Sequence, residues 1–232
     1  MELFKAGFSE KTKIKICGIT SEEEAVYLNE AGADYAGFVF YPPSKRNISL
    51  EIAKDISKLL SPTIKCVAVT VSPNPELVQK IINGGFDVIQ IHGKLDRELI
   101  KQITIPIWYA VNVSRAEDVE KAENHIKSLP TDLGSKIEGI VIDGAGFGSG
   151  KTFDWNRENQ RWRVNDIFEN RKFILAGGLT VENVMTGIET FKPDIVDVSS
   201  GVEIKSVESF RGKDPDKIKA FCKQVALATK EF

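Results

Sequence analysis

The chain has 232 residues, of which 42% are hydrophobic, and 31 Lys and Arg against 33 Asp and Glu give a formal charge of -2 at pH 7. This balance argues against a nucleic-acid-binding protein, which would carry a basic surface. With only two histidines and no Cys-x-x-Cys pair, the sequence also argues against a tightly liganded metal site. The apolar run at 35–41 is too short to span a membrane.

Cysteine usage and the amino terminus bear on the compartment. The three cysteines, Cys17, Cys66 and Cys222, form an odd and sparse set that predicts free thiols in a reducing compartment. The first residues, MELFKAGFSEKTK, are broken by charges and contain no apolar core, so no signal peptide is expected. Together these features predict a cytoplasmic protein.

Short runs rich in Val and Ile alternate along the chain with longer amphipathic stretches. The predicted strands are 14–18, 35–40, 65–71, 87–92, 107–113, 139–143, 173–176 and 195–199. The predicted helices are 22–31, 50–60, 75–84, 96–103, 115–128, 155–168, 181–190 and 215–229. Eight strand–helix units, spaced by roughly 25 to 30 residues, are typical of a single (β/α)8 TIM barrel of the α/β class.

The expected organisation is a short extension over residues 1–12 and one barrel domain over 13–232. An open, doubly wound sheet is the alternative, although eight repeats with no surplus strand favour closure. In such barrels the chemistry lies where each strand ends and the following loop begins. Residues at strand ends are therefore the first candidates for a site.

The first predicted strand ends in KICGIT, residues 15–20. Strand alternation puts the two isoleucines on the helix-packed outer face, and Lys15 and Cys17 on the inner face. Cys17 is thus expected to point into the barrel mouth, where a thiolate can act as a base. A packed core thiol is the alternative. Gly18 is expected to let the loop turn sharply and to leave room for a substrate.

Two further loops carry candidate binding residues. GFVFYPPSKRNIS, residues 37–49, contains Arg46, and arginine suits a carboxylate, although a solvated surface arginine is the alternative. VIQIHG, residues 88–93, places Gln90 and His92 on the inward face. His92 either contacts a substrate or is a hydrogen-bonded structural residue.

The stretch VIDGAGFGSGKTFDW, residues 141–155, places Asp143 at the end of the sixth strand and then a glycine-rich loop. A loop of this composition can close over a ligand, and a carboxyl at the strand end can transfer a proton once its pKa is tuned. An Asx-type turn is the alternative. The tail GSGKT is similar to a nucleotide P-loop, but its first glycine is absent, and Asp143 and Asp154 would crowd the phosphates.

LAGGLTVENV, residues 175–184, and DVSSGVE, residues 197–203, contain the ends of the last two strands and the loops after them. Loops seven and eight of such barrels bind phosphate through backbone N–H groups and a helix dipole. Either motif alone is compatible with an ordinary turn. Both together predict a phosphorylated substrate, held at loops seven and eight.

A buried polar layer is also expected inside the barrel. Lys15, Gln90 and Asp197 each lie two residues before a strand-end residue and on its face. An unpaired buried ammonium is costly. We therefore predict that Lys15 pairs with Asp197, directly or through Gln90 or water.

Six blocks occur in one order: KICGIT, GFVFYPPSKR, VIQIHG, the loop from Asp143 to FDW, LAGGLTVENV and DVSSGVE. The series resembles the phosphoribosylanthranilate isomerase family, from about residue 13 to residue 229. The resemblance implies an Amadori rearrangement in tryptophan biosynthesis, from N-(5-phosphoribosyl)anthranilate to 1-(2-carboxyphenylamino)-1-deoxyribulose 5-phosphate. The resemblance implies that the reaction needs no cofactor and that the substrate is a small phosphosugar. The expected oligomeric state is a monomer or a homodimer.

The resemblance also implies residue roles. Cys17 would be the general base, Asp143 the general acid and Arg46 the ligand of the anthranilate carboxylate. Gly177, Gly178, Ser200 and Gly201 would bind phosphate. Apart from the resemblance, His92 at its strand end and Asp197 are also expected to contact the substrate. Departures from the family pattern at Phe147, Ser149 and Arg211 bear on loop mobility and affinity.

Two rival hypotheses remain open on the sequence alone. One is a related phosphosugar barrel, such as a ribonucleotide isomerase or indole-glycerol-phosphate synthase, which would not be expected to use a cysteine base. The other is a non-enzymatic module that binds a phosphosugar. Activity on the imidazole ribonucleotide would indicate the first, and binding without turnover the second.

Overall fold

The structure of the protein is a computed structural model that describes residues 11–113, 116–144, 170–204 and 212–229. Eight parallel strands form a closed barrel in chain order, because β1 pairs with both β2 and β8. The TIM-barrel prediction is therefore confirmed, and the open-sheet alternative is wrong. The strands are β1 (Lys13–Cys17), β2 (Tyr35–Phe40), β3 (Lys65–Val71), β4 (Val88–His92), β5 (Ile107–Val113), β6 (Ile137–Gly144), β7 (Lys172–Leu175) and β8 (Ile195–Val198).

Helices lie between the strands along the chain and after the last one. They are α1 (Glu22–Ala31), α2 (Leu50–Ser57), α3 (Pro75–Asn83), α4 (Arg97–Gln102), α5 (Ala116–Lys127), α6 (Thr131–Gly134), α7 (Val184–Phe191) and α8 (Pro215–Ala228). The predicted helix at 155–168, the preceding residue Asp154 and the glycine-rich loop from residue 145 onward lie outside the described residues. The sequence pattern does not predict the short helix α6, because a single turn shows no helical periodicity.

The starts of two helices differ in how well the sequence predicts them. Ser21 caps α1 in a capping box with Glu24, in agreement with the acids that come after Thr20. Helix α7 begins at residue 184 rather than 181, so that part of the prediction is wrong. The Asn183 side chain bonds back to the Thr180 amide at 2.8 Å, and this turn uses the residues that the sequence pattern assigned to the first helical turn.

Two apolar layers surround the strands. The larger lies between strands and helices and includes Ile14 and Ile16. The smaller fills the barrel interior, where Tyr35 and Trp108 meet edge to face with ring centroids 5.0 Å apart. Cys17 belongs to the interior layer, as strand alternation predicts. The inner face of β1 therefore leads directly to the open end of the barrel.

Aspartates tie pairs of strands together at the amino-terminal end of the barrel. Each one directly precedes a strand, and its carboxylate accepts the amide N–H of a residue near the start of the preceding strand. The same two residues also share a backbone hydrogen bond, so each pair closes a small ring. The bonds join Asp34 Oδ2 to Ile14 N (2.8 Å), Asp87 Oδ2 to Cys66 N (2.7 Å) and Asp194 Oδ2 to Phe173 N (2.7 Å).

Among the described residues, no helix combines the length and the apolar composition that crossing a lipid bilayer requires. The three cysteines are free thiols, and Cys222 is buried within α8. The sequence prediction of unpaired cysteines is thus confirmed.

Candidate active site

A cavity of about 450 Å³ opens at the carboxyl ends of the strands. Eight of the nine site residues predicted from the sequence line it, although they come from positions far apart in the chain. Gly201, the ninth, lies beside it in the loop after β8. The eight are Cys17, Arg46, His92, Asp143, Gly177, Gly178, Asp197 and Ser200.

Cys17 is the last residue of β1 and lies in the cavity wall with 9% of its surface exposed. Burial raises the pKa of the Cys17 thiol above its ordinary value, and the positive charge of Lys15 offsets part of that rise. The thiol therefore has a cation close by that stabilises its ionised form. A group of this kind can accept a proton from a substrate held in the cavity.

Lys15 lies beneath Cys17 on the same strand and is completely buried. The register of β1 and β8 sets it opposite Asp197, and its Nζ lies 2.8 Å from Asp197 Oδ2. The predicted pairing is confirmed. Burial alone would lower the pKa of Lys15, but its interactions with Asp197 and Cys17 together outweigh burial and raise it, so Lys15 stays cationic. Asp197 Oδ1 is buried and accepts no hydrogen bond from the described residues.

The residue after the thiol is glycine because Arg46 lies across it. A Cβ at Gly18 would stand 2.5 Å from Arg46 Cδ, and the backbone there has a φ of +83°. The sharp turn expected at Gly18 is present, but the space expected there for a substrate is filled by the Arg46 side chain. Arg46 is buried, and its Nε donates a hydrogen bond to Glu203 Oε1.

Asp143 stands near the end of β6 and lines the same cavity. Burial, together with the negative charge of Asp197, raises the pKa of Asp143 to about 7. Gly177 permits this packing, because a Cβ there would lie 2.1 Å from the Gly144 amide nitrogen and 2.9 Å from Asp143 Oδ1. Cys17 and Asp143 line the same cavity, and no hydrogen bond joins them in the described structure.

His92 is the last residue of β4 and is buried. Burial, reinforced by the positive charge of Lys15, lowers the pKa of His92 to about 4, so the ring is neutral at neutral pH. Its Nε2 lies 2.9 Å from Gln90 Nε2, which makes the amide the donor and the ring nitrogen the acceptor. His92 is positioned for hydrogen bonding, and not for holding an anion by charge.

In the described part of the chain, no three His, Cys, Asp or Glu residues are grouped so that they could hold a metal ion.

Loops seven and eight lie side by side at the cavity. Gly177 and Gly178 line it from one side and Ser200 from the other, and Gly201 lies against the Leu179 carbonyl. Residues Ser200–Val202 form a 3-10 turn, and the first amides of such a turn have no partner within it. This pairing of loops offers backbone donors to an anion.

The sequence analysis does not predict that charged side chains form a cluster at the rim of the cavity. Glu203 is buried and has three cations around it: Arg46, Lys213 with Nζ 3.4 Å from Oε1, and Lys45 with Nζ 3.3 Å from Oε2. Lys213 is also buried, and its Nζ contacts the Ser199 carbonyl at 3.1 Å. We call Lys45, Arg46, Glu203 and Lys213 the rim cluster. The charges of the rim cluster are visible in the sequence, in SKR (44–46), GVE (201–203) and GKD (212–214), but the contact between the loops after β2 and β8 is not.

Comparison with known proteins shows a family likeness over most of the chain. The family model for N-(5'-phosphoribosyl)anthranilate (PRA) isomerase matches residues 14–224. The N-(5'-phosphoribosyl)anthranilate isomerase of Streptococcus mutans is 37% identical over 215 residues, which are 92% of this chain and 98% of that protein.

Solved structures show the same likeness. A phosphoribosyl anthranilate isomerase in complex with reduced 1-(o-carboxyphenylamino)-1-deoxyribulose 5-phosphate has a TM-score of 0.75 and 37% identity, covering 93% of this chain and 98% of that one. Monomers generated from the dimeric Thermotoga maritima enzyme have a TM-score of 0.75 and 40% identity, with the same coverage.

Proposed function

The chain belongs to the N-(5'-phosphoribosyl)anthranilate isomerase family, and on that premise we propose that Cys17 and Asp143 carry out the proton transfers of its reaction. The enzyme converts N-(5'-phosphoribosyl)anthranilate to 1-(2-carboxyphenylamino)-1-deoxyribulose 5-phosphate in tryptophan biosynthesis. One observation carries the assignment of roles. A thiol on β1 and a carboxyl on β6 line one cavity, together with the loops after β7 and β8 that offer donors to an anion.

The reaction needs an acid and a base on different atoms of the sugar. Asp143 donates a proton to the ring oxygen as the bond from that oxygen to C1 breaks, which leaves an iminium at C1. Cys17 thiolate then removes the proton from C2, and the electron pair forms the C1–C2 double bond of an enolamine. Ketonisation completes the isomerisation. Overall, C2 and its hydroxyl each lose a proton, while the ring oxygen and C1 each gain one.

The electrostatics of the two groups suit these roles. A carboxyl with a pKa of about 7 retains its proton in a useful fraction of molecules near neutrality, whereas an ordinary aspartic acid would be ionised. The thiol must instead lose its proton, and the positive charge of Lys15 favours this by lowering the pKa of Cys17. Asp197 keeps Lys15 charged, and its own charge favours the neutral form of Asp143. The same charge raises the pKa of Cys17, so it opposes part of the effect of Lys15 on the thiol.

The rest of the substrate fits the remaining groups. We place the phosphate at the amides near Gly178 and Gly201, between loops seven and eight. We assign the anthranilate carboxylate to Arg46, and the sugar hydroxyls to Asp197 and His92. Location in the cytoplasm and a monomeric or dimeric state complete the proposal.

Turnover of N-(5'-phosphoribosyl)anthranilate, followed by loss of anthranilate-type fluorescence, tests the proposal directly. Turnover with this substrate and none with the imidazole ribonucleotide is the expected result. Turnover of the imidazole ribonucleotide alone would indicate the related barrel enzyme. Binding of the substrate without turnover would indicate a phosphosugar-binding module.

A further inference from the structure

We propose that Glu203 is a positioning residue for Arg46, and that it fixes the guanidinium in the orientation that receives the substrate carboxylate. This inference rests on the proposed function, in which Arg46 binds that carboxylate. The contact that supports it joins Arg46 Nε to Glu203 Oε1 across 157 residues of sequence. Among the described residues, the side-chain hydrogen bonds of Arg46 involve Nε alone, so the edge formed by its two terminal nitrogens remains for a bidentate partner.

Charge balance indicates that the cluster serves an anion and is more than a structural ion pair. Lys45, Arg46 and Lys213 surround the single carboxylate of Glu203. Burial lowers the pKa of Lys213 below its ordinary value, so Lys45 and Arg46 supply the positive charge in excess of that carboxylate. Burial opposes ionisation of Glu203, but the Arg46 hydrogen bond and the Lys213 charge together lower its pKa below its ordinary value, so it is fully ionised. The rim cluster thus keeps an excess positive charge beside the cavity, which an anionic substrate group can neutralise.

Glu203 is itself held in place relative to the thiol. A short bridge pairs its backbone with that of Lys213, whose Nζ also contacts Ser199 Oγ at 3.2 Å. Ser199 Oγ in turn donates to the Cys17 carbonyl at 2.9 Å. A connected series of hydrogen bonds therefore runs from the backbone of Cys17 to the guanidinium of Arg46. This series sets the distance between the proton-transfer group and the carboxylate-binding group.

The test uses two ligands that differ only in the carboxylate. They are reduced 1-(o-carboxyphenylamino)-1-deoxyribulose 5-phosphate and its phenylamino counterpart without the carboxyl, both titrated by calorimetry. Glu203→Gln should weaken binding of the first by about 10- to 100-fold, because a charge-assisted contact loses its geometry. Binding of the second ligand should be unchanged. Equal losses for both ligands, or no loss for either, would overturn the proposal.

Arg46→Met separates this inference from the proposed function. It should produce the same selective loss, and Glu203→Gln added to it should produce no further loss, because Glu203 acts through Arg46. If Arg46→Met leaves the preference for the carboxylate intact, the assignment of Arg46 is wrong. If Arg46→Met abolishes the preference and Glu203→Gln alone does not, only the positioning role is wrong.

Folding is controlled with two more variants. Glu203→Gln leaves Lys213 without its buried carboxylate, so thermal unfolding is measured alongside binding. If that variant does not fold, Glu203→Gln combined with Lys213→Gln removes both charges and is expected to show the same selective loss. Glu98→Gln, which removes an exposed glutamate paired with Lys101, is the matched control and should leave both affinities unchanged.

Discussion

At the amino-terminal end of the barrel, Asp34, Asp87 and Asp194 each accept a backbone N–H of the neighbouring strand. At the carboxyl end, Asp143 and Asp197 line a cavity and have raised pKa values, with burial as the main cause. The same side chain is therefore used in two ways. One end satisfies its carboxylates with the backbone, and the other keeps them desolvated and close to each other.

The difference reflects what each end must do. A carboxylate that accepts a backbone N–H stabilises the closure of the strands. A buried carboxyl beside another carboxyl is destabilised in its ionised form, and this destabilisation lets it exchange a proton near neutral pH. The two ends should therefore respond to substitution in different measurements: unfolding at one end, and turnover at the other.

The largest effects are expected at the proton-transfer groups. Cys17→Ser and Asp143→Asn should each lower kcat by about 10²- to 10⁴-fold or more, with much smaller changes in substrate affinity. A serine hydroxyl is far less acidic than a thiol, and asparagine keeps the shape of aspartate without its acidic proton. Steady-state fluorescence assays measure both. If Cys17→Ser retains turnover close to that of the wild type between about pH 6 and 9, Cys17 is only a packing residue.

Substitutions in the Lys15–Asp197 pair should change both the stability and the activity of the protein. Lys15→Met leaves a buried carboxylate without its cation and should lower the free energy of unfolding by about 3–5 kcal/mol. It should also lower activity, because the thiolate of Cys17 loses its nearest positive charge. Urea denaturation measures the first effect. Adding Asp197→Asn should recover part of the lost stability but none of the activity, and simple additivity of the two losses would contradict the pairing.

Smaller, purely structural effects are expected at the opposite end. Asp34→Ala removes the acceptor of the Ile14 amide and should lower the free energy of unfolding by about 1–3 kcal/mol, with kcat/KM unchanged. Asp34→Asn, which keeps an acceptor oxygen, is the matched control and should cost less. A loss of activity in a fully folded Asp34→Ala protein would contradict the claim that the amino-terminal end of the barrel affects stability alone.

Local patterns are enough to predict much of the barrel. The strands at 35–40, 65–71 and 107–113 have the predicted bounds, because each is an apolar run that ends at polar or turn-forming residues. The Lys15–Asp197 pair is also predictable, since alternation along two strands puts both side chains inside and a buried ammonium needs a partner. These inferences require only the period of a strand and the closure of the barrel.

The rim cluster is not predictable in this way. The contact between Arg46 and Glu203 depends on how the loops after β2 and β8 fold over the mouth, and neither loop has a regular period. Gly18 shows the same limit. The sharp turn there is expected from the sequence, but the identity of the side chain that fills its open space depends on a loop nearly thirty residues away. Sequence patterns locate the residues at strand ends, whereas the contacts between loops require the folded structure.

The pH dependence of kcat/KM should reveal the Asp143 carboxyl. Asp143, with a pKa of about 7, must be protonated, and Cys17, with a pKa above its ordinary value, must be ionised. Below pH 7, Asp143 keeps its proton while the thiolate fraction rises about tenfold per pH unit, so activity rises equally. Above pH 7, Asp143 loses its proton as fast as Cys17 ionises, so the product of the two fractions is level until Cys17 itself titrates.

The expected profile therefore rises to about pH 7, stays flat, and falls only in the alkaline range. Asp143→Asn provides the control within the same protein. Its small residual activity depends on Cys17 alone, so the break near pH 7 should disappear and the rise should continue to higher pH. A break that persists in Asp143→Asn would belong to another group, and the raised pKa of Asp143 would then have no part in catalysis.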